Sequence, residues 1–151
     1  MDNPISEVDI LPNNIPVRLR SLDVNLQNPI YPGTHSFTYS DTDVILIRFS
    51  LDNHNSLNNV VEFWYPQVIR YTVHQRVPYI LVGMKQDLRK EAEFDGVSHS
   101  EEENIAKYIK ASRYVECSAK HDEGVKQVID LAAREAWNYK PPKPKLKCVI
   151  M

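Results

Sequence analysis

An α/β fold, a mostly parallel sheet with flanking helices, is predicted by two features of this sequence. Short apolar runs rich in β-branched and aromatic residues recur along it, and stretches with helical periodicity separate them. The first 43 residues are less regular, with prolines at 4, 12, 16, 29 and 32. Within them Glu7 to Leu11 and Val17 to Leu22 read as a hairpin turning near Asn13-Asn14. Val44 to Phe49, Tyr79 to Val82 and Tyr114 to Cys117 are apolar almost throughout, the pattern of strands covered on both faces. After the first run, Leu57, Val60, Val61, Trp64 and Val68 fall on one helical stripe, which Pro66 should kink because it lacks an N–H and crowds the preceding turn. After the second, Ser100 and Glu103 have capping-box spacing, with Ile105 and Ile109 turned inward. After the third, Val125, Val128, Ile129, Ala132 and Ala136 form a last stripe just past Gly124. This β-α alternation places ligands beyond the carboxyl ends of the strands.

The 151 residues, 42% hydrophobic and 25% charged, suit one globular domain with a sizeable core. No run approaches the ~20 apolar residues of a membrane span. Met1-Asp-Asn-Pro4 has neither the basic nor the apolar region of a signal peptide, so an intracellular body is expected. Two cysteines make no disulfide framework and fit a reducing compartment. Cys117, inside an apolar run, reads as a small buried residue. The five histidines lack metal-ligand spacing. Glu101-Glu102-Glu103 reads as acids in a first helical turn, favoured by the helix dipole.

The net charge of −2 hides an asymmetry, because Lys140, Lys143, Lys145 and Lys147 crowd the last twelve residues with no acid among them. That implies an anionic surface as partner of the tail alone. Without a basic patch interleaved with aromatics elsewhere, nucleic acid is not an expected partner. The organisation expected is a domain over 1–139 and an extended, proline-rich tail over 140–151, "KPPKPKLKCVIM".

Lys85-Gln-Asp87 directly follows a strand end. A carboxylate there can accept two hydrogen bonds from N1 and the 2-amino group of guanine while the lysine stem covers the ring. An isolated K-x-D is by itself a charged turn. Ser118-Ala-Lys120 follows the next strand and would lie at the same sheet edge, so two loops converge on one position.

With these motifs in view, the chain resembles small GTPases of the Rho/Rac family from Val17 to Met151. The shared words are "SDTDVILIRFS" (40–50), "FWYPQV" (63–68), "VPYILVGMKQDLR" (77–89), "YVECSAK" (114–120) and the terminal "CVIM". The resemblance implies a P-loop-NTPase-like fold, GTP or GDP with magnesium as ligands, and regulators and effectors of Rho type as partners. It implies that Asp87 reads guanine, Lys85 packs on the ring, Ala119 offers a backbone N–H, and Ser118 and Lys120 support the loop. Met84 stands where the family has asparagine or threonine. Asp23-Val-Asn-Leu-Gln27 aligns with the family's D-T-A-G-Q, making Asp23 the implied magnesium-linked aspartate and Gln27 the implied water-orienting catalytic glutamine. Leu26 replaces a glycine whose backbone approaches the terminal phosphate, which a β-carbon hinders.

The glycines are at 33, 83, 96 and 124, and none opens the G-x-x-x-x-G-K-[ST] loop that cradles phosphates. The resemblance therefore implies that the family's first strand, phosphate loop, first helix and first switch are absent from these residues. Weak or no nucleotide binding and no GTP hydrolysis are expected of this chain, because positioning and charge stabilisation both depend on that loop. The alternative is a working Rho-type GTPase whose first ~50 residues lie outside this sequence. Absence of the first strand, central in the family's sheet, would leave two unpaired inner edges. The segment between Leu88 and Glu101 is also shorter than the helical insert of Rho proteins.

Cys148-Val-Ile-Met151 is a C-a-a-X box, so a prenyltransferase is an expected partner. With the upstream lysines, the expected location is the cytoplasmic face of a membrane, the plasma membrane in particular.

Overall fold

The computed structural model describes residues 5–10, 16–23, 42–72, 76–139 and 145–150. Strands β1 (Ile5–Ile10) and β2 (Val17–Asp23) form the expected antiparallel hairpin, with Ile10 opposite Val17 and Ile5 opposite Leu22. Strands β3 (Val44–Ser50), β4 (Tyr79–Met84) and β5 (Arg113–Cys117) extend the three apolar runs and pair in parallel, β3 with β4 and β4 with β5. A sixth strand, β6 (Lys145–Ile150), completes a sheet of order β1-β2-β6-β3-β4-β5. The α/β class with a mostly parallel sheet and flanking helices is as expected.

Alternation along β3 divides the core. Ile45, Ile47 and Phe49 face one side, where Leu57, Val60, Val68, Leu81 and Ile109 are also buried. Val44 and Leu46 face the other, against Val128, Ala132 and Ala136 of α4 (Val125–Tyr139). The small alanines let that helix approach closely. Gly124, at φ +73, supplies the left-handed turn that leads into it.

The expected kink at Pro66 is a change of helix type. Helix α1 (His54–Asn59) passes into a π-helical turn over Val60–Trp64 and then into α2 (Tyr65–Thr72). The Tyr65 N–H bonds the Val60 carbonyl, five residues back, just before the proline that cannot donate. The stripe is accordingly divided: Leu57, Val60 and Val68 are buried, whereas Val61 and Trp64 are only partly covered.

Two expectations differ from the structure. The capping box of α3 (His99–Tyr108) is Ser98 with Glu101, two residues before the expected pair, because Ser98 has the extended backbone an N-cap needs. Ile109 is buried and Ile105 packs against the same core, as expected. The second difference is the tail. Residues 145–150 do not stand apart from the body: they are β6, parallel to β2 on one side and to β3 on the other. In the fold implied by the resemblance, the place between those two strands belongs to the family's first strand. Here β6 pairs with β2 over residues 18–23 and with β3 only at Val44, Ile45 and Leu46.

Candidate functional site

Lys85 and Asp87 lie just past the carboxyl end of β4, and Ser118 to Lys120 just past that of the adjacent β5. The first loop is set by Lys85 itself, which is left-handed (φ 65, ψ 42) and leads into a 3₁₀ turn over Gln86–Lys90. The second is closed by a reciprocal backbone pair: the Ser118 N–H donates to the Glu123 carbonyl at 2.8 Å and the Glu123 N–H returns to Ser118 at 3.1 Å. Polar side chains tie the loops together. Lys90 Nζ donates to both Glu123 carboxylate oxygens at 3.1 and 3.0 Å, and Gln86 Nε2 to Oε2 at 3.4 Å.

Asp87 sits at this junction with its side chain 12% exposed and His121 Nε2 3.9 Å from Oδ2. A hydrogen bond from the buried Ser118 hydroxyl holds its carboxyl below the ordinary 3.8, against burial, with His121 and Lys120 adding positive charge. Its Oδ1 is buried without a hydrogen-bond partner. An ionised acceptor left unpaired in a polar loop fits a donor such as a ring N–H or an exocyclic amine.

Ala119 and Lys120 are exposed. Lys85 Nζ donates to Asp52 Oδ2 at 2.8 Å, which ties the lysine head to the loop after β3. Met84 points into the core, where the Cys117 thiol lies 3.6 Å from its sulfur. Cys117 is buried, as expected, and burial raises its thiol pKa, so it is no ready nucleophile. Asp23 ends β2, and the structure describes its backbone but not its side chain. Gln27, Lys140 and Lys143 lie outside the described residues, while Lys145, Lys147 and Cys148 are strand positions of β6.

Beside the junction lies a cluster not foreseen as a unit. Arg89 donates from Nε to both oxygens of Glu116 (3.1 and 2.9 Å), from Nη2 to Glu102 Oε2 (2.6 Å) and from Nη1 to the Val97 carbonyl (3.0 Å). Tyr114 donates its hydroxyl to both glutamates, and His99 Nδ1 meets Glu102 Oε1. Glu102 is thus the buried anchor of a network, whereas Glu101 serves the cap and Glu103 pairs with Lys107. His99, Glu102 and Glu116 offer ligand atoms within 4.8 Å of one another. The Arg89 guanidinium, bonded to both carboxylates, already supplies the positive charge a cation would bring.

A family model described as the Ras family matches residues 8–138. The chain belongs to the Ras family. A Ras-family relative, "GTP-binding protein RHO1" of Candida albicans (strain SC5314 / ATCC MYA-2876), is 40% identical over 131 residues, spanning 80% of this chain and 65% of that protein. The match thus spans less than two thirds of the length of that relative. Among the described residues no helix of this Ras-family domain is long and apolar enough to cross a membrane.

Proposed function

We propose that this chain is the base-recognising part of a Rho-type, guanine-nucleotide-dependent signalling switch. One observation carries the reading: the ionised, partner-lacking Oδ1 of Asp87 at the junction of the β4 and β5 loops. Asp87 would accept from N1 and the 2-amino group, Ala119 would donate its backbone N–H, and Lys85, Ser118 and Lys120 would shape the pocket. A bound guanine nucleotide with magnesium would supply the phosphate charge that such switches respond to. The phosphate loop, and with it GTP hydrolysis, would come from a longer form of the chain, of which these residues are the larger part. Similarity to a protein named as GTP-binding supports that form.

Guanosine monophosphate, added to the purified chain at millimolar concentration, should shift the amide resonances of Asp87, Ala119 and Lys120, whereas adenosine monophosphate should not. Asp87→Asn should exchange guanine preference for xanthine, since the carboxamide offers one acceptor and one donor. Equal shifts with both bases, or none, overturn the reading. Genomic sequence upstream of Met1 decides the longer form: an in-frame phosphate-loop motif supports it, and stop codons without one sink it.

A second reading is favoured by β6 in the centre of the sheet: a form that signals by binding Rho-type regulators or effectors without hydrolysing GTP. For either reading we further infer lipid attachment at Cys148 by a prenyltransferase and location at the cytoplasmic face of the plasma membrane. Lys140, Lys143, Lys145 and Lys147 would each add about 1 kcal/mol beside an anionic leaflet. Vesicle co-sedimentation of the lipidated chain, lost at high salt or with the lysines changed to glutamine, tests this attachment.

A further inference from the structure

His121, one residue past the Ser118-Ala-Lys120 motif, faces Asp87 without a part in the base contacts proposed above. Its Nε2 lies 3.9 Å from Asp87 Oδ2, and its ring is half exposed. The backbone beneath the ring is fixed. The His121 N–H donates to Ser118 Oγ at 3.3 Å, Asp122 is left-handed at φ 54, and the Ser118–Glu123 backbone pair closes the loop. Ser118 thus links the two groups, accepting from the His121 backbone while its hydroxyl bonds the Asp87 carboxylate. Among the other charges of the two loops, Lys85 is bonded to Asp52, Lys90 to Glu123 and Arg89 to Glu102 and Glu116, while Lys120 and Asp122 are exposed. When protonated, His121 is therefore the ion-pair partner of Asp87.

We propose that His121 sets the affinity of this site by acting as a placeholder for the base: its imidazolium takes Asp87 Oδ2, and a guanine must displace it. The inference rests on the base-recognition reading given above. Both N–H groups of an imidazolium are donors, as are the N1 and 2-amino groups that Asp87 would accept, so ring and base compete for the same lone pairs. A neutral imidazole loses the attraction to the carboxylate and, half exposed, yields to the base at little cost. The direction with pH follows. The Ser118 hydroxyl holds the Asp87 carboxyl below 3.8, so Asp87 stays ionised where histidine changes charge, between about pH 5 and 8. Acidification through that range adds charge at His121 and none at Asp87, so base affinity falls. His54 and His99 pair with other carboxylates, Glu101 for the first and Glu102 with Glu116 for the second.

The test titrates guanosine monophosphate into the full chain, into His121→Ala and into His121→Lys, each at about pH 5.5 and about pH 8, on either side of histidine's change of charge. Amide shifts of Asp87 and Ala119 report the affinity. The parent is expected to bind about two- to fivefold more weakly at the lower pH, the size of a partly exposed ion pair. His121→Ala should bind equally at both and, at the lower pH, more tightly than the parent. His121→Lys, charged at both, should bind weakly at both. His121 gives Ser118 only its backbone N–H, so both variants should keep the loop closed, which slow amide exchange at Ser118 and Glu123 verifies. A parent without pH dependence overturns the proposal, as does a His121→Ala variant that keeps the dependence or binds more weakly than the parent at the lower pH. Those results leave the base-recognition reading standing. Equal affinity for adenosine monophosphate, or no binding at either pH, overturns that reading and this inference together.

Discussion

At the scale of single residues the dominant feature is Glu102, whose side chain is 1% exposed and whose charge is balanced by Arg89, itself 17% exposed. Arg89→Met keeps much of the side-chain volume but leaves this carboxylate without its cation. A loss of about 3–5 kcal/mol in urea-unfolding stability is expected. The same network sets the pH limits. Arg89 and Tyr114 hold the Glu116 carboxyl below its ordinary 4.5 despite burial. A depressed folded value means that its contribution is present above pH 4.5 and disappears as pH falls through the lowered value. Tyr114 runs the other way. Burial first, then its bonds to Glu102 and Glu116, raise its pKa far above 10.0, so its contribution holds below pH 10 and is lost as pH rises beyond it. Thermal melts should show both limbs, and Tyr114→Phe should shrink the alkaline one, leaving the part due to Tyr65, whose pKa burial also raises. The placement of Lys85, Asp87 and Ser118 at strand ends was legible because each follows an apolar run within a short motif. Glu102 was not, since Arg89 and Tyr114, which anchor it, lie 13 and 12 residues away and a run of three glutamates looks alike from the sequence.

At the scale of elements, boundaries depended on conformations that residue types alone leave open. Ser98-His-Ser100-Glu101-Glu102-Glu103 contains two overlapping serine–glutamate pairs of capping spacing. Only Ser98, at ψ 157, is extended enough to cap. Ser98→Ala should therefore cost about 1 kcal/mol, read by denaturant unfolding, while Ser100→Ala should cost much less. Pro66 was legible as an interruption, but not the form it takes. The π turn absorbs one extra residue before the proline and rotates Val61 and Trp64 away from the stripe on which an ideal helix would put them. Strands were the easier elements, because a run such as Val44-Ile-Leu-Ile47 has no stable place except between two layers.

For the whole molecule, the parallel order of β3, β4 and β5 and the meeting of the β4 and β5 loops at their carboxyl ends followed from the alternation of runs and stripes. The position of β6 did not. Lys145-Leu-Lys-Cys-Val-Ile150 alternates like a strand at its start, but the prolines and lysines before it read as a solvated tail. What separates the two is pairing with distant residues, 18–23 of β2 and Val44, Ile45 and Leu46 of β3. Deleting residues 145–151 should lower stability by roughly 1 kcal/mol for each ladder bond lost and broaden the melting transition, as followed by circular dichroism. The pairing also has a kinetic side. β1 and β2 are neighbours in sequence, and β3, β4 and β5 are joined through single helical crossovers, whereas β6 meets β2 across more than a hundred residues of chain. Closing so long a loop is entropically slow. Refolding should then begin with two locally formed pieces and end with β6 entering between them, visible in stopped-flow as a late phase that the shortened chain lacks.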